Sequence, residues 1–242
     1  MYYSILGTGG HILGGMHLVP NDEKKWLPQV ECACVAASDI WLESDAGLTF
    51  FTAKWRSGAE VLPGDLSAAL GAKWGALGIG PLEDFNLPAI SVLTSLLFLS
   101  GLREGVEPAV KTIVGAAQTL NALESVDEYL AGWACVSDEQ FIDQIRLSLR
   151  RGPQTSADFR SLHNGWRRWD RAALAKLNDA TLIAPLRPAV FANRNRAWAV
   201  KIACACAEQT RPLFVVGAGH LCGPGNLLDV LRQEHQLDAV RA

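Results

Sequence analysis

A short pattern occurs near both ends of the chain: an apolar segment followed by Gly-x-x-His. The first copy, "GGMH", covers residues 14–17, and the second, "GAGH", covers residues 217–220. Glycine permits sharp turns and close backbone approach, and ligands of parallel α/β sheets bind beyond the carboxyl ends of the strands. If the two copies lie side by side, His17 and His220 meet, which requires both ends of the chain to share one sheet.

The residues around the first copy predict a hairpin and then a βαβ unit. Tyr2–Leu6 and Ile12–Leu13 are apolar, and the Gly-rich residues between them are typical of a hairpin turn. Pro28 suits the start of a helix, and "DIWLESD" indicates a short strand with Glu43 at its far end. Such units have parallel strands. A further short strand is predicted in "GLTFFTAKW", residues 47–55.

Helical patterns dominate the middle of the chain, and the pattern of the first segment returns at the end. The candidate helices of the middle are Pro88–Leu102, Glu107–Leu123, Ser125–Cys135, Asp138–Arg150, Thr155–Trp169 and Asp170–Leu177. The last part predicts, in order, a long helix over Pro188–Gln209, an apolar strand over Leu213–Val216, a helix over residues 225–235 and an edge strand in "LDAVRA".

These elements predict an α/β fold: a pseudo-duplicated, mixed and mostly parallel central sheet with a large helical middle segment. We expect one domain over residues 1–242, with β-GxxH-α-β units at about 1–60 and 187–242 and the helical segment at about 66–186. A composition that is 49% hydrophobic supplies enough apolar side chains for one large core.

Charge and cysteine usage exclude several classes of partner. The formal net charge of −3 gives no reason to expect nucleic acid or an anionic membrane surface. The most apolar stretch, "LPAISVLTSLLFLSGL", is shorter than the roughly 20 residues that span a bilayer, and no signal peptide is readable. The six cysteines lack zinc spacing, which favours buried free thiols in a reducing compartment. We therefore expect a cytoplasmic protein without a membrane span.

Two histidines and one carboxylate form the candidate site. His17 and His220 end the two Gly-x-x-His copies, and Glu43 leaves a neighbouring strand at the same edge. Two imidazoles and a carboxylate leave open positions on a divalent metal, as a catalytic site needs. The other histidines, which have no evident partner, are expected to be solvated: His11, His163 and His235.

Other chemistries fit the sequence less well. Both "ILGTGGHILGG" and "VVGAGHLCGPG" follow strands, but each departs from the GxGxxG dinucleotide fingerprint at its sixth position, which is Ile12 in one and Cys222 in the other. No GxSxG occurs, so a serine hydrolase of that type is disfavoured. Cys222 lies two residues from His220, where strain and direction make it a poor nucleophile.

Motifs along nearly the whole chain resemble one family. "GGMHLVP…WLPQVECACVAASDIWLESD" at the start and "RNRAWAVKI…PLFVVGAGHLCGPGNLLDVLRQ" at the end are similar to the terminal motifs of the TraB/PrgY/GumN family, which includes the TIKI proteases. "GLREGVEPAV", "LNALESVDEYL" and "NGWRRWDRAALAKL" are similar to its weaker internal landmarks. The chain departs from the family at Gly15, where Thr is usual, and at Trp169-Asp170, where Gly-Asp is common.

The resemblance implies a divalent-metal site and a hydrolytic, and in some members proteolytic, activity. Carried over by position, the metal ligands are His17, Glu43 and His220. Arg194 and Asn195 match the family's RN pair, which would position substrate or orient the ligands. Two further acidic residues fall at the family's internal acidic positions, as candidates for a base or for groups that support the ligands: Glu107 and Glu124.

Three functional hypotheses remain open. In the first, a metal-dependent hydrolase holds Mn²⁺, Co²⁺ or Zn²⁺, Glu107 or Glu124 accepts a proton, and Arg194 faces a substrate carboxylate or the developing oxyanion of a peptide or small molecule. In the second, a non-catalytic protein binds a ligand, a metal or a peptide in the same cleft. In the third, the glycines serve packing alone. The sequence leaves the oligomeric state open.

Overall fold

A computed structural model gives the structure of the chain, and it describes residues 1–21, 27–44, 62–99, 102–115 and 118–242. The strands are β1 (Tyr2–Ile5), β2 (His11–Gly15), β3 (Leu18–Pro20), β4 (Asp39–Ser44), β5 (Leu102–Glu104), β6 (Thr119–Glu124), β7 (Pro212–Gly217) and β8 (Ala239–Arg241). The segment "GLTFFTAKW", predicted as a strand, lies outside the described residues.

The α-helices in these ranges are α1 (Leu27–Ala36), α2 (Gly64–Trp74), α3 (Leu87–Thr94), α4 (Val106–Ile113), α5 (Val126–Gly132), α6 (Asp138–Arg168), α7 (Arg171–Thr181), α8 (Asn193–Glu208) and α9 (Leu227–His235). Short 3₁₀ turns include Ser95–Phe98 and Ala218–Leu221, and one π turn, Pro188–Ala192, leads directly into α8. The chain is therefore an α/β protein, as predicted.

The central sheet has six strands in the order β6-β4-β7-β2-β1-β8. Its first four strands run parallel, while β1 pairs antiparallel with β2 and with β8. The two strands that precede the Gly-x-x-His copies, β2 and β7, are direct neighbours, with Gly15 opposite Gly217. The mixed, mostly parallel sheet is confirmed, and it places the two copies side by side.

The middle segment differs from the prediction because it contains strands. The helix predicted over Glu107–Leu123 is wrong: α4 ends at Ile113, and residues 119–124 form β6, which pairs in parallel with β4. Leu123, at the buried end of β6, is fully covered while the first two residues are exposed. Only one end of β6 is apolar and buried. The strand therefore lacks the alternation of apolar and polar residues by which a strand is predicted from a sequence.

The two helices predicted around Pro153 are one long helix. Helix α6 runs unbroken through Pro153. It is capped at Ser137 by a capping box in which Ser137 and Gln140 satisfy each other's backbone N–H groups. A second capping box, between Ser125 and Glu128, starts α5 directly after β6. Because β6 leads straight into α5, Glu124 lies at a strand end and not at a helix–helix junction.

Two hydrophobic clusters fill the molecule. The larger one surrounds the sheet, where Ile12, Ile40 and Phe214 on three adjacent strands are completely buried. The smaller cluster joins the helices of the middle segment around Leu70, Trp74 and other buried side chains. The expectation that the other histidines are solvated is wrong for His163, which is buried beside Trp166.

The helices and the cysteines of the described residues bear on two further expectations, the absence of a membrane span and the state of the thiols. Among them, none of the helices combines the length and the apolar character that a membrane crossing requires. All six cysteines are free thiols, as predicted, but the expectation that they are buried is correct only for Cys34 and Cys222, since Cys32, Cys135 and Cys204 are exposed.

Gly105 couples the small antiparallel sheet of β3 and β5 to the loop that carries His17. Its N–H donates to the His17 carbonyl at 2.8 Å, the next N–H, from Val106, donates to the Met16 carbonyl at 2.9 Å, and a Cβ on Gly105 would overlap the Met16 oxygen. We expect Gly105→Ala to lower the free energy of unfolding by about 2 kcal/mol, measured by urea denaturation.

Gly71→Ala is the matched control, because a Cβ on this residue of α2 meets no atom within 4 Å. It should raise stability by up to about 1 kcal/mol through helix propensity. Equal effects of the two substitutions would show that the contact between Gly105 and the Met16–His17 loop is not tight.

Candidate functional site

Four parallel strands end at the same edge of the sheet, and each delivers a candidate residue there. In spatial order, β6 ends on Glu124, β4 carries Glu43 as its penultimate residue, β7 is followed by His220, and β2 is followed by His17. Because the carboxyl ends of parallel strands meet at one edge, these four side chains converge. The sequence-predicted candidates therefore come together, including Glu124, although its strand was not foreseen.

Glu43 lies between the two histidines. Its Oε2 is 3.7 Å from His17 Nε2, and its Oε1 is 3.9 Å from His220 Nε2. Glu43 is buried, and although burial favours the protonated acid, the charges of His17 and Arg194 lower its pKa below the usual value. Glu43 is thus an ionised carboxylate shared by two imidazoles.

Gly217 lets the backbone approach this carboxylate closely. Its N–H donates a hydrogen bond to Glu43 Oε1. A Cβ on Gly217 would lie 2.9 Å from Glu43 Oε1 and 3.3 Å from His17 Nε2, inside the site. The glycine at the exit of β7 is therefore needed for space between the side chains, since its φ of −58° is open to other residues.

Arg194, at the start of α8, connects three of the converging residues. Its Nε and Nη2 donate to Glu124, its Nη2 also donates to Glu43 Oε2 at 3.2 Å, and its Nη1 contacts His220 Nε2 at 3.3 Å. The remaining Nη1 hydrogen faces the Val190 carbonyl at 3.4 Å. A guanidinium has five N–H donors, and all five are used within the protein.

The guanidinium is also enclosed by aromatic rings. Its central carbon lies 5.0 Å from the ring centre of Tyr129 and 4.5 Å from that of Trp198, both within cation–π range. Burial opposes its charge, but Glu43 and Glu124 raise the pKa of Arg194 further above its ordinary value. Arg194 is therefore a fixed cation, and in this arrangement it orients side chains of the site.

Glu124 is buried and hydrogen-bonded to two side chains of α8. Besides its contacts with Arg194, it accepts a hydrogen bond from Trp198 Nε1 at 3.2 Å, and its side chain is only 6% exposed. Trp198 follows Arg194 by four residues, so both lie on one face of α8. A carboxylate this enclosed serves to anchor Arg194, and it is poorly placed to exchange protons with a substrate.

His220 is fixed as a neutral imidazole of one tautomer. Its Nδ1 lies 2.7 Å from Asn195 Oδ1, and Asn195 Nδ2 donates to the Gly225 carbonyl at 2.8 Å, which settles the orientation of the amide. The ring must therefore carry its hydrogen on Nδ1, leaving the lone pair on Nε2. Burial, with the charges of Arg194 and His17, lowers the pKa of His220 to about 3 against the pull of Glu43.

His17 is the accessible member of the group, with a side chain that is 59% exposed. Its Nδ1 lies 3.2 Å from Glu107 Oε2, and the other oxygen of Glu107 accepts the backbone N–H of Glu43 at 3.2 Å. The surrounding protein disfavours the charged ring, but Glu43 and Glu107 outweigh this and raise the pKa of His17 to about 9. Glu107 thus orients both His17 and the strand that carries Glu43.

The donors fit a divalent metal in chemical type and in charge. Two imidazole Nε2 atoms and a carboxylate face one another. Three carboxylates stand against two cations, the Arg194 guanidinium and the His17 ring: Glu43, Glu107 and Glu124. In the described part of the chain, the present side-chain positions do not bring three His, Cys, Asp or Glu side chains close enough together to hold a metal ion. Binding would require Arg194 Nη1 to release His220 Nε2 and the His17 ring to lose its Nε2 proton.

Several contributors escaped sequence reasoning. The main-chain N–H of Gly217 and the rings of Tyr129 and Phe191 carry no sequence signal of their own, and Phe191 packs edge-on against His220 at 5.1 Å between ring centres. Trp198 could have been found, because it lies one helical turn after Arg194. Cys222 remains a poor nucleophile, since burial raises the pKa of its thiol to about 11.

Comparison with known proteins identifies the family of the chain. The model of the TraB/PrgY/gumN family matches residues 6–235, nearly the whole chain. The chain belongs to the TraB/PrgY/gumN family. No curated protein and no solved structure matches it significantly. In this member of the TraB/PrgY/gumN family, both Gly-x-x-His copies and the RN pair lie within the matched range and meet at one edge of the sheet.

The two histidines should titrate at opposite ends of the pH scale. We expect the His17 ring to lose its proton near pH 9 and the His220 ring to stay neutral down to about pH 3, for the reasons given above. Histidine NMR from pH 4 to 10 on metal-free protein measures this, with His17→Asn and His220→Asn to assign the signals. Two rings that both titrate near the ordinary value of about 6.5 would contradict the described contacts.

Arg194 should not be replaceable by lysine. Lys cannot reproduce the planar fork, so Arg194→Lys leaves the buried Glu124 carboxylate partly unpaired and should lower the free energy of unfolding by about 3 kcal/mol. Arg196→Lys is the matched control on the same helix, because Arg196 is exposed and makes one surface pair with Glu234. Its effect should stay within about 0.5 kcal/mol. Similar losses in both variants by urea denaturation would refute a special role for the fork.

Proposed function

We propose that the chain is a divalent-metal-dependent hydrolase of amide or ester bonds, with peptides among its candidate substrates. The observation that carries the proposal is the convergence of His17, Glu43 and His220 at the carboxyl ends of neighbouring parallel strands, with Nε2 of His220 kept free of a proton. An uncharged imidazole nitrogen is what a metal ligand requires. Membership of the family supports the same proposal.

The three converging side chains would hold the ion: His17 and His220 through Nε2, and Glu43 through its carboxylate. Bound there, a divalent metal supplies an acidified water and polarisation of the carbonyl to be attacked. Mixed nitrogen and oxygen ligands suit Mn²⁺, Co²⁺ and Zn²⁺ alike, so the ligand set does not choose among them.

Glu107 and Glu124 have different roles in this proposal, one in proton transfer and the other in holding Arg194. Glu107 has a side chain that is 22% exposed, against 6% for Glu124, so it is the better candidate to accept a proton from the attacking water once its Oε2 releases His17 Nδ1. Glu124 is fully engaged with Arg194 and Trp198, and its part is to hold Arg194. We therefore propose Glu107, and not Glu124, as the general base.

The RN pair acts on the ligands and not directly on the substrate. Every N–H of Arg194 is used inside the protein, so it positions Glu43 and shields charge at the site. Asn195 holds His220 in the tautomer that presents Nε2. A substrate carboxylate or oxyanion would reach Arg194 only by displacing one of these contacts.

The thiols support a reducing compartment as the place of action. All six cysteines are free, and burial raises the pKa of Cys34 and of Cys222 to about 11, so both persist as protonated thiols. Disulfides are rare in the cytosol and common in secreted proteins. We propose that this hydrolase acts in the cytoplasm.

Substitutions at the site test the proposal. Glu43→Gln, His220→Ala and Glu107→Gln should each lower kcat/KM by about 100-fold or more, since each removes a ligand or the base. Glu104→Gln is the control, because Glu104 is exposed on β5, three residues before Glu107. Hydrolysis of a panel of peptides and esters is measured with added Mn²⁺, Co²⁺ or Zn²⁺.

Two results would contradict this function. One is hydrolysis that survives His17→Ala and His220→Ala combined in one chain. The other is the absence of stoichiometric metal, by elemental analysis, in protein purified without an affinity tag and loaded with each ion. A binding protein would instead show ligand-dependent thermal stabilisation without turnover.

A further inference from the structure

The corner between α6 and α7 is hydrogen-bonded to both Gly-x-x-His copies. Trp166, in the last turn of α6, donates its Nε1 hydrogen to the Gly14 carbonyl at 2.7 Å. Arg171, the first residue of α7, donates from Nε to the Leu221 carbonyl at 2.9 Å. Gly14 opens the first copy, and Leu221 directly follows the histidine of the second. One corner of the helical segment therefore bonds to the main chain at both copies.

Gly14 and Leu221 also pack against each other. A Cβ on Gly14 would lie 2.7 Å from Leu221 Cδ1 and 2.9 Å from Met1 Cβ. The leucine side chain thus fills the space that the glycine leaves, and Leu221 is completely buried. The two carbonyls that the corner bonds therefore belong to residues through which the two copies contact each other.

The Gly14 carbonyl has the indole of Trp166 as its partner at the end of β2. Pairing of β1 with β2 ends at Tyr2 and Leu13, and Gly14 lies just beyond it. Its N–H donates to the Met1 carbonyl, and its own carbonyl, on the same side of the strand, accepts from Trp166. A buried carbonyl that loses its partner costs more than the bond itself contributes. The indole thus holds the strand end from which the first histidine follows.

The corner itself is tight, so its two donors keep a fixed spacing. Two residues separate α6 from α7. Trp169 turns the chain with a left-handed φ of 62°, and Asp170 caps α7 by accepting the Ala173 N–H at 2.9 Å. The Trp169 ring lies against Tyr3 of β1, and its centre is 4.1 Å from the guanidinium carbon of Arg241 on β8. The corner is therefore anchored on β1 and β8, away from the strands that carry the acidic residues of the site.

We infer that Trp166 and Arg171 are positioning residues: through main-chain carbonyls they hold the two Gly-x-x-His copies together, so that His17 and His220 keep the separation that a shared metal needs. The inference rests on the proposed metal-dependent function and deepens it. Because the hydrogen bonds go to the main chain, these residues set geometry and take no part in proton transfer. The segment "NGWRRWDRAALAKL", which contains both residues, thereby acquires a role.

Trp166→Phe and Arg171→Met test the inference, because each removes the N–H donor and keeps most of the apolar side chain. Co²⁺ affinity, measured by calorimetry on the full chain, should fall about tenfold or more in each variant, as when a group that supports metal ligands is removed. Trp74→Phe is the control for the first, because Trp74 is also buried and its Nε1 has no hydrogen-bond partner in the described part of the chain. Arg168→Met, at an exposed position in the last turn of α6, is the control for the second.

Amide hydrogen exchange, followed by NMR on the metal-free protein, gives a readout that needs no metal. Trp166→Phe should speed exchange of the Val106 N–H, which bonds to the main chain of the first copy, by about tenfold, the equivalent of one lost hydrogen bond. Arg171→Met should do the same to the Cys222 N–H, which bonds to the main chain of the second copy. The Ile90 N–H in α3 is the reference, and local loosening leaves its rate unchanged.

The results separate the inference from the function beneath it. If the wild type binds Co²⁺, equal affinity in the two variants and their controls overturns the inference and leaves the hydrolase standing. If the wild type binds no Co²⁺, the metal-dependent function is overturned, and hydrogen exchange decides the inference. Faster exchange at Val106 and Cys222 alone then supports the hold on the two copies, while unchanged rates, or an equal rise at Ile90, overturn it.

Discussion

The site depends on one buried cation. Arg194 lies between the carboxylates of Glu43 and Glu124, with the lone pair of His220 as a further neighbour. Removing a charge from water is costly, and the cost is offset only where several hydrogen bonds satisfy it. The guanidinium therefore holds the start of α8 against the ends of β4 and β6, and the positions of Glu43 and His220 follow from its hydrogen bonds.

This arrangement separates two kinds of polar residue that look alike in the sequence. Glu124, Arg194 and Asn195 are bonded to other protein groups at nearly every polar atom, so they determine where Glu43 and His220 stand. His17 and Glu107 are more exposed and are linked to this set through Glu43. Rigid support on one side and access on the other are what a pre-organised catalytic centre needs.

The position of the two histidines in the fold could be predicted from the sequence, because a strand followed by Gly-x-x-His places the histidine just beyond the carboxyl end of that strand. The pairing of β2 with β7 and the meeting of His17, Glu43 and His220 follow from that pattern. Strand β6 could not be predicted, since its exposed beginning and covered end give no period of two. The contacts that set the pKa of each histidine join residues far apart in the chain, such as His17 with Glu107, and no local pattern encodes them.

Even the departure from the family pattern at Gly15 has a physical reason in the structure. A Cβ at this position would lie 3.0 Å from the Cβ of Val106, the first residue of α4. The glycine lets α4 pack directly against the end of β2, and α4 carries Glu107 in its first turn, beside His17. The missing hydroxyl is thus accompanied by closer packing of the helix that supplies the proposed base.

Anomalous diffraction from crystals soaked in Mn²⁺ tests whether the three converging side chains hold a metal, because it locates the ion and its ligands together. We expect a single strong peak within bonding distance of His17 Nε2, Glu43 and His220 Nε2, with Arg194 still bonded to Glu124. A peak elsewhere, or none at these three side chains under saturating Mn²⁺, would contradict it.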